Sequence, residues 1–105
     1  MTSEEKTSKP ERSIRAIAPE LYANIISELE NAHIHPYDIQ ANAVKEDGGY
    51  KLIIRFGEDF AHTESEFFSF QSIERMDTDL TEFVKKIGEA CKQVMIQDYY
   101  KMMKM

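Results

Sequence analysis

The sequence predicts an α+β two-layer sandwich in the order α-β-β-β-α, a three-stranded antiparallel meander carrying two helices on one face. Three observations lead there. Apolar residues recur at helical spacing toward both ends of the chain. Between Tyr37 and Phe56 the period falls to two, and Asp47-Gly48-Gly49 interrupts that alternation where a hairpin must turn.

Met1 to Arg12 is polar and lacks apolar periodicity, so residues 1–12 read as a disordered tail and residues 13–105 as one domain. Pro19 suits the first position of a helix, where its missing N–H costs nothing, and Ile17 before it can staple onto Tyr22. Leu21, Tyr22, Ile25, Ile26 and Leu29 form the apolar stripe of a helix from Pro19 to Ala32, with Glu20, Asn24, Ser27 and Glu28 opposite. Pro36 ends any continuation.

In the first two strands, Ile39, Ala41 and Ala43 share a face with Leu52, Ile54 and Phe56 if the turn has two residues. Small residues opposite large ones leave room for a helix across the sheet. After a turn at Gly57 to Ala61 comes a third strand, His62 to Gln71, whose register stays open. Turning Thr63, Ser65 and Phe67 inward keeps Glu64 and Glu66 in water but sends Phe68 and Phe70 outward; the opposite choice buries two carboxylates. A bulge near Phe67-Phe68 reconciles the halves.

Leu80, Phe83, Val84, Ile87, Cys91, Val94, Met95 and Met102 then mark one long helix from Asp79 almost to the end. The Met76-Asp77-Thr78-Asp79 segment offers N-cap candidates for it, Asp79 and Glu82 match the spacing of a capping box, and Gly88 suggests close contact with the sheet. A helix from Asp79 to Met103 measures about 37 Å at ~1.5 Å per residue, longer than the roughly 30 Å diameter of a compact domain this size. Its last turns, with Tyr99, Tyr100, Met102, Met103 and Met105, are expected to overhang as an apolar cluster. Val44, Ile53 and one of Phe68 or Phe70 make a second apolar patch on the open sheet face, framed by Lys51, Arg55, Gln40 and Asn42. Both surfaces point to a two-fold homodimer.

Composition narrows the function classes. The longest apolar runs are far too short for a membrane span or a secretory signal, which leads to the expectation of a cytosolic protein without membrane contact. The single cysteine, Cys91, excludes an internal disulfide and any multi-cysteine metal site, and its place on the stripe makes it a core residue. The net charge of −6 is concentrated in residues 56–79, where seven acids, among them Glu58, Asp59, Glu64 and Glu66, face Arg75 alone. That field repels phosphate backbones and disfavours nucleic acid, while it suits a basic protein partner.

Chemistry-bearing motifs are sparse. The glycines have no nucleotide-binding spacing and no serine sits in a nucleophile elbow, so no cofactor is implied. His33 and His35 alternate on an extended stretch to which Asp38 and His62 could add metal ligands, and His62 beside Glu64 or Glu66 could act as acid and base. The first expectation is a non-enzymatic protein–protein interaction module, regulatory, inhibitory or of immunity type. It would engage its partner through Glu58, Asp59, Glu64 and Glu66 or through Tyr99, Tyr100, Met102 and Met103. The alternative is a small-ligand or metal-binding protein or minor hydrolase using His33, His35, Asp38 and His62. The helix–meander–helix order occurs in many small bacterial proteins, a likeness of topology that assigns no family.

Overall fold

The computed structural model describes residues 10–103, with side chains through Gln97. Strand β1 (Glu11–Ser13) leads into a single turn, α1 (Ile14–Ile17), and then α2 (Pro19–Asn31). Strands β2 (Ile39–Glu46), β3 (Gly49–Phe56) and β4 (His62–Ser69) follow, then a short helix α3 (Phe70–Arg75) and the long α4 (Thr78–Met103). The sheet is antiparallel throughout, in the order β1-β2-β3-β4. It is the expected α+β sandwich with a fourth strand added at the front.

The hairpin register is the one that the alternation requires. Ile39 lies opposite Phe56, Ala41 opposite Ile54 and Ala43 opposite Leu52, across a two-residue turn in which Gly48 has φ +83°. This face packs with Leu21, Ile25 and Leu29 of α2 and Leu80, Phe83, Val84, Ile87 and Cys91 of α4 into one core, so both helices cover the same side. Burying a Leu or Ile side chain contributes about 1.5–3 kcal/mol, which makes this shared apolar side the main stabilising element. Ile14 of α1 is fully buried in the same core. Ser13 caps its turn by accepting the Arg15 N–H at 3.1 Å.

Helix α2 ends in a Schellman motif, a feature that explains two neighbouring residues at once. His33 adopts φ +64° and its N–H bonds the Glu30 carbonyl, while the Ile34 N–H bonds that of Leu29, each at 2.9 Å. Ile34 is thereby turned into the core.

Four expectations are corrected. Glu11 and Arg12, placed in the tail by sequence, form β1 with Ser13, pairing with Val44 and Ala43; residues 1–9 lie outside the described residues. Strand β4 runs in unbroken register from His62 opposite Phe56 to Ser69 opposite Gly49, with no bulge. It therefore places His62, Glu64, Glu66 and Phe68 on the helix side; Phe68 is buried, 5.2 Å from the Phe83 ring, whereas Phe70 opens α3 and meets Tyr50 edge-on. The cap of α4 is Asp77, whose Oδ1 accepts the Leu80 N–H at 3.0 Å, so the Asp79–Glu82 pair is not the capping box. A hydrogen bond with Ser72, then the Leu80 N–H, holds the Asp77 carboxyl below its ordinary range. Finally, a Cβ at Gly88 would meet no atom within 4 Å, so no close contact with the sheet explains that glycine.

The described residues span 47 Å along the longest axis with a radius of gyration of 15.0 Å, against roughly 12 Å for a compact chain of this length. Helix α4 continues through Met103, three turns past Cys91, the last fully buried residue of its stripe, and Met95 and Ile96 on that extension are 38% and 39% exposed. The side chains of Tyr99, Tyr100, Met102 and Met103, like all of Met105, lie outside the described residues.

Candidate functional site

Two features occupy the β4 side of the molecule, and both begin at Gly57. That residue has φ +86° and ψ −177° at the end of β3, a conformation essentially reserved for glycine. A Cβ there would sit 2.6 Å from the His62 ring and 3.2 Å from Val94 of α4, so the turn is pressed between strand and helix. His62 stacks on the Phe56 ring at 5.7 Å. Next in the chain, Glu58 and Asp59 are exposed, and both Asp59 and Phe60 have positive φ, a strained pair of side-chain-bearing residues in one turn.

This turn forms one wall of a cleft of about 460 Å³. The opposite wall is the segment after α2, where His35 Nδ1 accepts the Tyr37 N–H at 3.2 Å and caps the single 3₁₀ turn Pro36–Asp38. Ile34, Phe56, Cys91 and Met95 supply apolar surface, and Asp38, Glu58 and Asp59 supply acid; Tyr37 beside them is 86% exposed. Burial, followed by the negative charges of Asp38 and Glu64, pushes the Cys91 thiol up to about 12. It stays protonated at neutral pH and is no activated nucleophile.

The second feature is an acidic edge. Glu64 and Glu66 lie on the helix side of β4, but this is the outermost strand, and α4 does not seal it. Glu66 is exposed and opens with Asp79, Glu82, Phe83 and Lys86 onto a shallow hollow of about 340 Å³. The Lys86 ammonium, 3.7 Å from Glu64, is the one cation among the described residues that pairs with these acids. The choice between burying two phenylalanines and wetting two carboxylates is thus met by geometry: at a sheet margin one face buries Phe68 and still hydrates Glu64 and Glu66.

The sequence-predicted histidine group does not assemble. His33 is the exposed left-handed residue of the Schellman motif, His35 caps a turn, His62 stacks on Phe56, and Asp38 alone of the four lines the cleft. Among the described residues no three His, Cys, Asp or Glu come together as a metal ion would need. By contrast, the structure brings Glu66 together with Asp79 and Glu82, links Glu64 to them through Lys86, and sets Glu58 and Asp59 around one cleft with Asp38, which sequence reasoning did not foresee. The glycine at position 57 was the available signal for the cleft; nothing local marked Ile34, and Met95 stood out only as part of the α4 stripe. A further hollow at the hairpin end, about 540 Å³, is lined by Arg12 and Lys45 as well as Glu46 and Asp47, charges of both signs.

The fold and these surfaces define a small α+β two-layer protein with an acidic sheet margin. No protein-family model matches the chain, and neither the curated proteins nor the solved structures contain a significant match. No helix among the described residues is long and apolar enough to cross a membrane.

Proposed function

We propose that this chain is a non-enzymatic, cytosolic protein–protein interaction module, regulatory, inhibitory or of immunity type, whose acidic margin receives a basic partner. One observation carries the reading: Glu66 on the outermost strand opens beside Asp79 and Glu82, and Glu64 on the same strand face is tied to that group through Lys86, the one cation among the described residues in ion-pair contact with these acids. Like charges kept together at partial exposure raise the local field and speed encounter with a positive surface. The test is capture from native lysate at low and high salt, with the wild type and with Glu64→Lys/Glu66→Lys. Capture of a basic protein that weakens with salt and with both substitutions is the expected result. Capture indifferent to both removes the reading.

Self-association is part of the proposal. Its support is apolar exposure away from the core: Met95 and Ile96 on α4, and Phe67, 45% exposed, on the open sheet face. Light scattering on the full chain and on a chain ending at Asp98 tests it; two monomers exclude it.

The small-ligand reading draws on the cleft, where apolar surface and three acids converge. It fits an amine with an apolar body. Unmoved amide signals of Ile34, Phe56 and Met95 on titration with such amines dispose of it, and a heatless zinc titration disposes of the metal version.

A further inference from the structure

Strand β4 is the last of the sheet, and no described residue pairs with its far side. Two independent facts fix which main-chain groups face outward. The Phe70 N–H bonds the Gly48 carbonyl at 3.0 Å, so bonded positions recur at every second residue from there, and Phe68, Glu66, Glu64 and His62 bond back to β3. The two-residue turn closing at Glu46 and Gly49 gives the same parity: Gly49, Lys51, Ile53 and Arg55 bond to β2, and Tyr50, Leu52, Ile54 and Phe56 to β4. Thr63, Ser65 and Phe67 are left with N–H and C=O aimed away from the sheet, and all three residues are exposed.

We infer that this edge binds an extended basic segment of another protein as a fifth strand, with lysine or arginine at alternate positions. The inference rests on the acidic-margin reading and gives it a geometry. A strand added to β4 forms its bonded pairs at Thr63, Ser65 and Phe67, and its non-bonded pairs at Glu64 and Glu66. Non-bonded pairs bring Cα atoms to about 4.5 Å and their side chains closest together. Basic residues opposite Glu64 and Glu66 therefore meet the carboxylates directly, and the alternate residues lie beside Thr63, Ser65 and the half-exposed Phe67 on the other face.

The same geometry disfavours a second copy of this chain in the central registers. Two β4 strands related by a two-fold axis must pair odd positions with odd ones to use their outward groups. Centring on Ser65 sets Glu64 against Glu66 twice; centring on Glu64 or Glu66 sets a glutamate against its own copy. These three central registers, which overlap the acidic stretch most fully, oppose like charges at the close sites, which is destabilising. The offset registers centred on Thr63 or Phe67 set Glu64 against His62 and Glu66 against Phe68, respectively, and escape that repulsion, so the concentration dependence of amide exchange decides them. An edge left open to pairing yet charged against itself is suited to a strand of opposite charge.

The test uses the full chain and a blocked nine-residue peptide alternating lysine with valine or threonine. Amide hydrogen exchange of Thr63, Ser65 and Phe67 should slow about tenfold or more at saturation, as newly bonded amides do. N-methylation of the valine and threonine positions, whose N–H groups face β4, should weaken binding about tenfold or more; N-methylation of the lysines, whose N–H groups face away, should leave binding nearly unchanged. Ser65→Pro, checked for folding by circular dichroism, should act like the first peptide. Equal binding of both N-methylated peptides overturns strand addition while leaving the acidic-margin reading intact. No binding of the parent peptide also overturns it, and the lysate capture then judges the margin separately. Slowed exchange of the three amides on raising the protein concentration alone would identify a second copy as the occupant and sink the proposal as well.

Discussion

The carboxylate of Glu11 accepts both guanidinium arms of Arg55, Nη1 to Oε1 and Nη2 to Oε2, each at 2.8 Å, across the open face of the sheet. The Asn42 amide adds a third bond at 3.0 Å. One residue from each of β1, β2 and β3 is thus joined, which ties the short first strand to the meander. The Arg55 hydrogen bonds, then that of Asn42, hold the Glu11 carboxyl at about 2 rather than its ordinary 4.5.

Because the folded-state pKa is depressed, the pair contributes stability that is complete above about pH 4.5 and is lost as pH falls toward 2. The groups are about one-third exposed, so solvent screening limits the contribution to about 1 kcal/mol or less. Urea unfolding at pH 7 should show Glu11→Gln less stable than wild type, with the gap narrowing at pH 2.5. A gap that is constant with pH would show that ionisation of Glu11 plays no part.

Gly57→Ala should destabilise by roughly 1–3 kcal/mol, since alanine must enter a glycine-only backbone region. The contact with His62 is a second, smaller cost. Adding His62→Ala removes the clash but not the strain, so the double variant should recover only a minor part. Full recovery would assign the effect to the side-chain contact alone.

Gly88→Ala should stabilise by about 1 kcal/mol, the helix-propensity difference, because the added methyl group has open space. A lower melting temperature would show that the helix meets something there.

His33→Gly should also stabilise, by about 1 kcal/mol, by relieving a left-handed backbone at the Schellman position. Chemical unfolding with unchanged m-value is the measurement, and loss of stability would mean that the imidazole itself supports the motif.

Cys91 should react with an aromatic disulfide at pH 8 roughly a thousandfold more slowly in the folded chain than in urea, given a thiol raised from 9.0 to about 12. Folded and unfolded rates within tenfold of each other would contradict a sealed, protonated thiol.

Much of the core was legible locally. The stripes on α2 and α4 and the alternation in β2 and β3 each state which side of an element is apolar, and a two-residue turn fixes how the two strands face each other. Ala41 opposite Ile54 follows from those rules alone. The acidic margin was legible as charge but not as shape, since the face of Glu64 and Glu66 depends on β4 lying outermost, where one side can bury Phe68 and still reach water. Strand β1 has three residues, all exposed, and its partners Asn42 and Arg55 are more than thirty positions away; no periodicity can announce it. The cap on Asp77 rather than Asp79 was decided by α3 ending in a left-handed Met76, which delivers Asp77 to the start of α4.

Amino-acid order by itself determined the layers, the hairpin pairing, the buried thiol and the excess of negative charge, because each depends on spacing within one or two neighbouring elements. Tertiary structure alone decided that β4 is a margin, that Asp38 joins Glu58 and Asp59 around a cleft, and that Thr63, Ser65 and Phe67 point their main-chain groups into solvent. Those outcomes rest on which elements become neighbours in space, and long-range packing, not local period, sets that.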